Sequence, residues 1–510
     1  MTNRIKTRIA LAITVALPFS SLLPVLAGPT AAQTPQAALS PATSADLCGR
    51  GDVKEPGIQG EVPSGQTARF NCGVKLIGQL PRVGSVQGNG KCAYVRSGGN
   101  REGSTVYVID VSNPAKPVEV GSFPVKSASE TMRAVVNNER AILVSGSSVY
   151  DIKDCLKPVL LGEIKWPAIA LGTLPPMGGG GGTGILPHDL RINPAGTKVY
   201  GSLGLWEADI TNLRDPNSWK ITDHRCALAV QVAGPWQGVH READRIGMNL
   251  CEDQARSGPY GANNRIASSG IQAALLWPLI SHGIGVSGDN KRVYLGEQAG
   301  GPIGLITRGQ VALRVFDVSQ TPIKLLGETF GAGHSVDWFR VGGREYVLHA
   351  NEGGSGGIGQ GVGGATGSAG DPCRPLPRPQ ALGWAFDAFI SDVTEPTTPR
   401  NISRLTIAIN EPENCAARKA SGQDPSVAYH LIDNPMNAKF AAVNFGPAGL
   451  RIYDIRQPEK PVEVAYFNHG PLVHGGVGHY DAARGLIYAA GSTGLWILQI
   501  EPQVRQRLRL

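Results

Sequence analysis

The chain has 510 residues, with 67 glycines, 37 prolines, 6% aromatic residues and a formal charge of +7. That content of turn formers favours many short strands over long helices. So mild a charge, with no basic stripe interleaved with aromatics, argues against a nucleic-acid partner.

Residues 1–27 read as a signal peptide. Arg4, Lys6 and Arg8 form a basic start, an apolar run covers 9–26, and Val25-Leu26-Ala27 offers small residues for cleavage. A membrane anchor is the alternative for this segment, and no other run is long enough to span a bilayer. The segment holds three cations and no acid, so the remainder carries +4. Residues 28–46, rich in Ala, Pro, Ser and Thr, read as a flexible linker. Eight cysteines follow, an even number that in an exported chain suggests disulfides. Pairing of neighbours (48–72, 92–155, 226–251, 373–415) is the expectation, although spacing alone does not fix connectivity. No CxxC pair exists, which argues against a thiolate zinc site. Residues 47–73 are then a cysteine-pinned segment ahead of the main domain.

The main domain is organised by a repeat. VYVIDVSNPAKPVEVGSF (106–123) returns as LRVFDVSQTPIKLLGE (313–328) and LRIYDIRQPEKPVEVAYF (450–467). An aspartate with proline seven residues on recurs at Asp110, Asp151, Asp209, Asp392 and Asp454; Asp317 has its proline two residues early, and a seventh unit carries Gln499 instead. The carboxylates are expected to cap the turn amides that follow. Ahead of each unit lies a strand–turn–strand, as in LRINPAGTKVYGS and IGVSGDNKRVYLGE. Four short antiparallel strands per unit, seven units, predict an all-β fold: a single seven-bladed β-propeller over 74–500, with 501–510 as a tail. The last unit lacks an outer strand and the text at 74–80 resembles one, so the N-terminal strand is predicted to close the ring. Two long insertions, at about 226–276 and 353–379, interrupt the spacing. Trp206, Trp384 and Trp496 are expected in the core between blades.

These units resemble the LVIVD repeat, a strand of that kind followed by S-x-P-x-x-P. VYVIDVSNPAKP is very close to it; LRVFDVSQTP and LRIYDIRQPEKP are close. The resemblance covers most of 74–500 and implies an exported or surface-associated β-propeller, in a family mostly without assigned activity. More distantly, the arrangement resembles seven-bladed propellers of the selenium-binding or methanethiol-oxidase type, which bind metal through channel histidines.

The ten histidines carry the one candidate constellation. Counting back from the second strand of each unit, His188, His282 and His430 stand eleven residues before Val199, Val293 and Ala441. His334 stands twelve before Tyr346 and His474 thirteen before Ile487. In the second unit the place is taken by Glu130; in the first it falls near Arg82. The first strand of each propeller blade lines the axis, so these side chains are expected to converge at one mouth. Imidazole suits copper, zinc or iron where thiolates do not compete. Glu130 fits a ligand, a general base, or an acceptor that fixes an imidazole tautomer. Asp189 and Asp337 are further acceptors of that kind, and His349 and His479 are candidates to border the site. The structural alternative is that these histidines hydrogen-bond between blades. His224, His240 and His469 read as isolated loop or surface residues. No nucleophile elbow, P-loop or dinucleotide-binding glycine motif is found. Two expectations follow: a metal- or small-ligand-binding propeller, which as an enzyme would be a metal-dependent oxidoreductase, or a non-catalytic scaffold that binds a protein or glycan partner.

Overall fold

The computed structural model describes residues 43–64, 67–97, 104–125, 131–166, 187, 189–202, 205–224, 281–297, 312–330, 334–350, 387–422, 427 and 429–510. All of them belong to one compact unit, Ala37–Leu510. The expected signal peptide, most of the linker and both long insertions lie outside the described residues, as do Glu130, His188, His240 and Trp384.

The strands form seven antiparallel sheets, the first five following the chain from an inner to an outer strand. The inner strands are Ser85–Asn89, Met132–Val136, Leu190–Ile192, Ser281–Val286, Ser335–Val341, His430–Ile432 and Leu472–Asp481, on blades one to seven in turn. Each contacts the next, and the last contacts the first. At that junction a Cβ on Gly478 would lie 1.6 Å from the Val86 carbonyl oxygen, so only glycine admits the approach. The chain is therefore a closed seven-bladed propeller, as the repeat predicts.

Closure is made as expected. Val74–Leu80 pairs antiparallel with Gly494–Ile500 and supplies the outer strand of the seventh blade. A feature not read from the sequence lies just before it: Phe70–Cys72 pairs with Val462–Asn468 and gives the sixth blade a fifth strand. The segment before that strand is anchored by the Cys48–Cys72 disulfide and by a charge cluster. Arg451, fully buried, meets both carboxylate oxygens of Glu55, and Glu463 lies 3.6 Å from it. The residues after the ring, the expected tail, form a helix, Pro502–Leu508, that buries Val504 and Leu508.

The Asp ruler is visible in the hydrogen bonds. Asp110, Asp151, Asp209, Asp317, Asp392 and Asp454 each accept from the amide two residues on, at 2.8–3.1 Å. These Asx turns end the third strand and launch the outer one. In the seventh blade Gln499 instead donates to the carbonyls of Arg484 and Gly485.

The core lies between blades. Trp206 packs with Ile142, Val144 and Val149 of the neighbouring blade, and Trp496 meets Phe467 edge-on at 5.6 Å. Burial of each such side chain contributes about 1.5–3 kcal/mol, and it ties each blade to the next. A second disulfide, Cys92–Cys155, joins blades one and two. Cys415 is also disulfide-bonded, and the expected 226–251 and 373–415 pairings fall on residues outside the described ones. Among the described residues no helix is long and apolar enough to cross a membrane.

Candidate functional site

The residue paired with the ruler aspartate gives every blade a common origin. These residues are Cys92, Ile142, Lys198, Arg292, Tyr346 and Phe440, with Leu486 opposite Gln499. Four residues on from each origin the second strand is near its end, and the inner-strand residue beside it marks the entry rung. Gly283 faces Gly296 and Ser335 faces Ala350 on that rung. Asp189 takes the same place, its backbone carbonyl accepting from the Ser202 amide. The residues one earlier are His282 and His334.

His282 and His334 each directly precede the entry-rung residue on adjacent blades, His282 at an irregularity where Ser281 pairs with Glu297 and Gly283 with Gly296. The residue before Asp189 is His188, and the residue before Thr131 is Glu130; both lie outside the described residues. His334 is 1% exposed, its amide donates to the Ala350 carbonyl, and its ring meets Tyr429 edge-on at 5.0 Å.

His430 sits elsewhere. It faces Val443, three residues on from Phe440, and is two residues further into the sheet than His334. His430 stands ten residues before its origin, as His188 does, but its turn (433–439) is two residues longer than the turn at 193–197. Counting along the chain therefore aligned two residues that the ladder separates. His474 lies in an irregular stretch between the Leu472–Gly491 and Val477–Ala489 pairs. In the first blade Val86 faces Val95, so the corresponding residue is Gly84, not Arg82.

Two rungs inward lies a layer that sequence reading did not single out as a whole. It consists of Gln87, Arg133, Arg191, Gly285, Asp337, Leu431 and His479, each opposite the residue two on from its origin. Arg133 donates to the Leu190 carbonyl at 3.0 Å and to Asp189 at 3.2 Å. Arg191 donates to the Ile284 carbonyl (2.9 Å) and the Val336 carbonyl (2.8 Å), and its third nitrogen lies 2.6 Å from Asp337. It reaches from the third blade to the fifth past Gly285, which has no side chain. The other oxygen of Asp337 meets His430 Nδ1 at 2.8 Å, and His430 Nε2 faces the Ser335 carbonyl at 3.3 Å. Both ring nitrogens of His430 are engaged by protein groups.

The electrostatics follow from these contacts. Burial pushes the Asp337 carboxyl up, but the Arg191 charge and the His430 bond outweigh it and hold it below the usual range. Burial, then repulsion from Arg133, lowers Arg191 despite its carboxylate neighbours. Burial pushes His479 down to about 4, so its imidazole is neutral at physiological pH.

On the entry rung, Asp189 Oδ1 accepts from Thr131 Oγ1 at 2.5 Å and from the Leu190 amide at 2.8 Å. Its Oδ2, and Ser335 Oγ on the same rung, are buried and have no hydrogen-bond partner among the described residues. His349 is turned away along its blade, with Nε2 2.9 Å from Ser391 Oγ. His224, expected in a loop or at the surface, directly follows the outer strand of the third blade and is buried, with Glu207 3.3 Å from its Nε2. His469 is half-buried against Phe467.

No protein-family model matches the chain, and no curated protein does. The LVIVD likeness therefore rests on the repeated text alone. Among solved structures, the Cps50 (Swd1) β-propeller domain of Myceliophteria thermophila aligns at 11% identity and TM-score 0.45, covering 84% of this chain and 99% of that one. A chain of a mitotic checkpoint complex aligns at 8% identity and TM-score 0.41, covering 86% and 97%. Likeness at this level carries no functional argument, and the propeller is read here from its own strand ladders.

Proposed function

We propose that the protein is an exported propeller of the LVIVD-repeat kind whose axial mouth holds one transition-metal ion, copper, zinc or iron. His188, His282 and His334 would hold it, with Glu130 beside them and His474 as a further ligand. The observation that carries this reading is that His282 and His334 each directly precede the entry-rung residue on adjacent blades, Gly283 and Ser335. Asp189 Oδ2 and Ser335 Oγ on the entry rung, without a hydrogen-bond partner among the described residues, support the reading, because a metal-bound water or a small ligand would satisfy buried polar atoms of this kind. Paired cysteines suit export and leave imidazole and carboxylate as the donor set. A metal held with an open position would supply activation of water or dioxygen. The protein's own part is to fix the imidazoles and exclude competing donors, with Glu130 accepting a proton or orienting a ring.

Elemental analysis of mature protein from an export-competent host should give near-stoichiometric metal. A metal-free preparation, together with unchanged metal uptake and melting in the His282→Ala, His334→Ala double variant, contradicts the reading. The full engagement of His430 by Asp337 and Ser335 favours a second reading, a non-catalytic scaffold in which such histidines tie blades together. In that case substitutions within 226–276 abolish capture of a protein or glycan partner while His282 and His334 remain dispensable.

A further inference from the structure

At the origin end of the blades, away from the entry rung, blades four and five enclose a second set of polar groups. Tyr294 of blade four packs with Val336, Trp338 and Val347 of blade five. Arg340 lies two residues beyond Trp338 on the inner strand, so it shares that face, and it pairs with Glu345 on the next strand. Glu345 accepts from Arg340 at 2.8 Å, and its other oxygen lies 2.7 Å from Arg292 of blade four. Two guanidiniums thus share one carboxylate. The next acid, Asp289, is exposed and 3.6 Å from Arg292, with its other oxygen held by Ser287 and the Lys291 amide. Inside the gap positive charge is in excess.

Three hydrogen-bond donors in this gap are buried and find no acceptor among the described residues: Tyr294 Oη, Trp338 Nε1 and Arg340 Nε. Tyr294 is 0% exposed and Trp338 3%. Burial pushes the Tyr294 hydroxyl well above its ordinary value, so it keeps its proton and can donate. Buried donors are almost always paired, and what pairs with three donors is an acceptor. Beside two arginines that acceptor is best an anion, because hydrogen bonds from a guanidinium to an oxyanion are the strong ones. A turn of blade six covers the gap. Pro435 and Ala438 hold the Arg340 backbone at 2.8 and 2.9 Å, and a Cβ on Gly288 would lie 2.6 Å from the Trp338 ring and 2.8 Å from the Met436 sulfur. The Arg340 side chain is 34% exposed, so solvent reaches the gap along it.

We propose that the gap between blades four and five is a binding site for a small oxyanion, with Arg340 Nε, Tyr294 Oη and Trp338 Nε1 as its donors and Glu345 holding the two guanidiniums in place. A carboxylate and a tetrahedral phosphate or sulfate offer the same acceptor chemistry. No residue of this site lies on the entry rung, so it stands or falls independently of the metal reading.

Isothermal titration calorimetry of the mature full-length protein tests this, in a chloride buffer free of other oxyanions, with acetate, phosphate and sulfate as separate titrants. Wild type should bind one oxyanion per chain saturably. Tyr294→Phe keeps the ring and removes only the donor, so it should bind about tenfold more weakly, the worth of a hydrogen bond to a charged group. Its melting temperature without titrant should be unchanged or raised, since the hydroxyl leaves no described partner behind. Binding of phosphate and sulfate alone assigns the site to tetrahedral anions, and binding of acetate alone assigns it to carboxylates. Wild type without saturable binding of any titrant, or Tyr294→Phe binding as tightly as wild type, overturns the proposal and leaves these donors to ordered water. If Tyr294→Phe does not fold, Trp338→Phe, which removes the indole donor, is compared in its place by the same criterion.

Discussion

Asp337 on the fifth blade lies 2.6 Å from Arg191 on the third, although the chain builds a whole blade between them. Both side chains are more than four-fifths buried. Replacing Arg191 by alanine leaves Asp337 with His430 but without the guanidinium charge beside it, and removes the donor to two backbone carbonyls. Breaking a buried pair in this way costs about 3–5 kcal/mol. Denaturant unfolding of Arg191→Ala should show a loss of that size, and a loss below about 1 kcal/mol, the level of an exposed pair, would mean the span is not a structural tie.

A pH dependence follows from a second buried cluster. Arg404 is shared by Asp387 (3.1 Å) and Glu411 (2.6 Å). Burial pushes Asp387 up to about 7 from 3.8, and burial raises Glu411 as well. The folded state therefore binds a proton that the unfolded chain releases at lower pH. This stabilisation is fully present below the unfolded value near 3.8 and is lost as pH rises through about 7. Melting measured from pH 4 to 7.5 should fall more in wild type than in Asp387→Asn, which stays neutral throughout. Parallel curves would show that Asp387 does not hold the proton.

The ring depends on one N-terminal strand. Removing residues 1–80 takes away Val74–Leu80 and leaves the Gly494–Ile500 edge unpaired. That variant should be insoluble or unfolded, as bare edges invite aggregation. Removing residues 1–42 keeps every described contact and should leave the melting temperature unchanged. Equal melting of the two truncations would show that closure contributes nothing.

The ruler aspartates should each contribute modestly. Asp110→Ala removes the acceptor for the Ser112 amide and is expected to cost about 0.5–1.5 kcal/mol, the net worth of one hydrogen bond. Asp110→Asn keeps an acceptor oxygen and should cost less. The comparison is read from denaturant midpoints, and equal losses would assign the effect to charge instead of the turn.

The blades were legible because their signals are local. An aspartate, a proline seven residues on and a strand on either side recur in the text, and the Asx turns are the same pattern in space. Ring closure by residues 74–80 was legible for the same reason, since that text resembles other outer strands. The candidate site was only partly legible. His282 and His334 each precede the entry rung of their blade, but His430 lies two residues further in, because turn length changes without leaving a mark on strand spacing. The layer of Arg133, Arg191 and Asp337 was missed as a layer. Its members differ in chemistry from blade to blade, and only the ladder register brings them together. His224 was read as isolated because its partner, Glu207, lies on the adjacent strand of its own sheet, seventeen residues earlier in the chain.

The central claim is a metal at the axial mouth, and diffraction from metal-soaked crystals at the absorption edge of copper, zinc or iron tests it most directly. One anomalous peak is predicted, about 2.0–2.1 Å from imidazole nitrogens of His282 and His334, with Glu130 and His188 beside it. Imidazoles directed away from a common point, with no anomalous peak at the mouth, would contradict it.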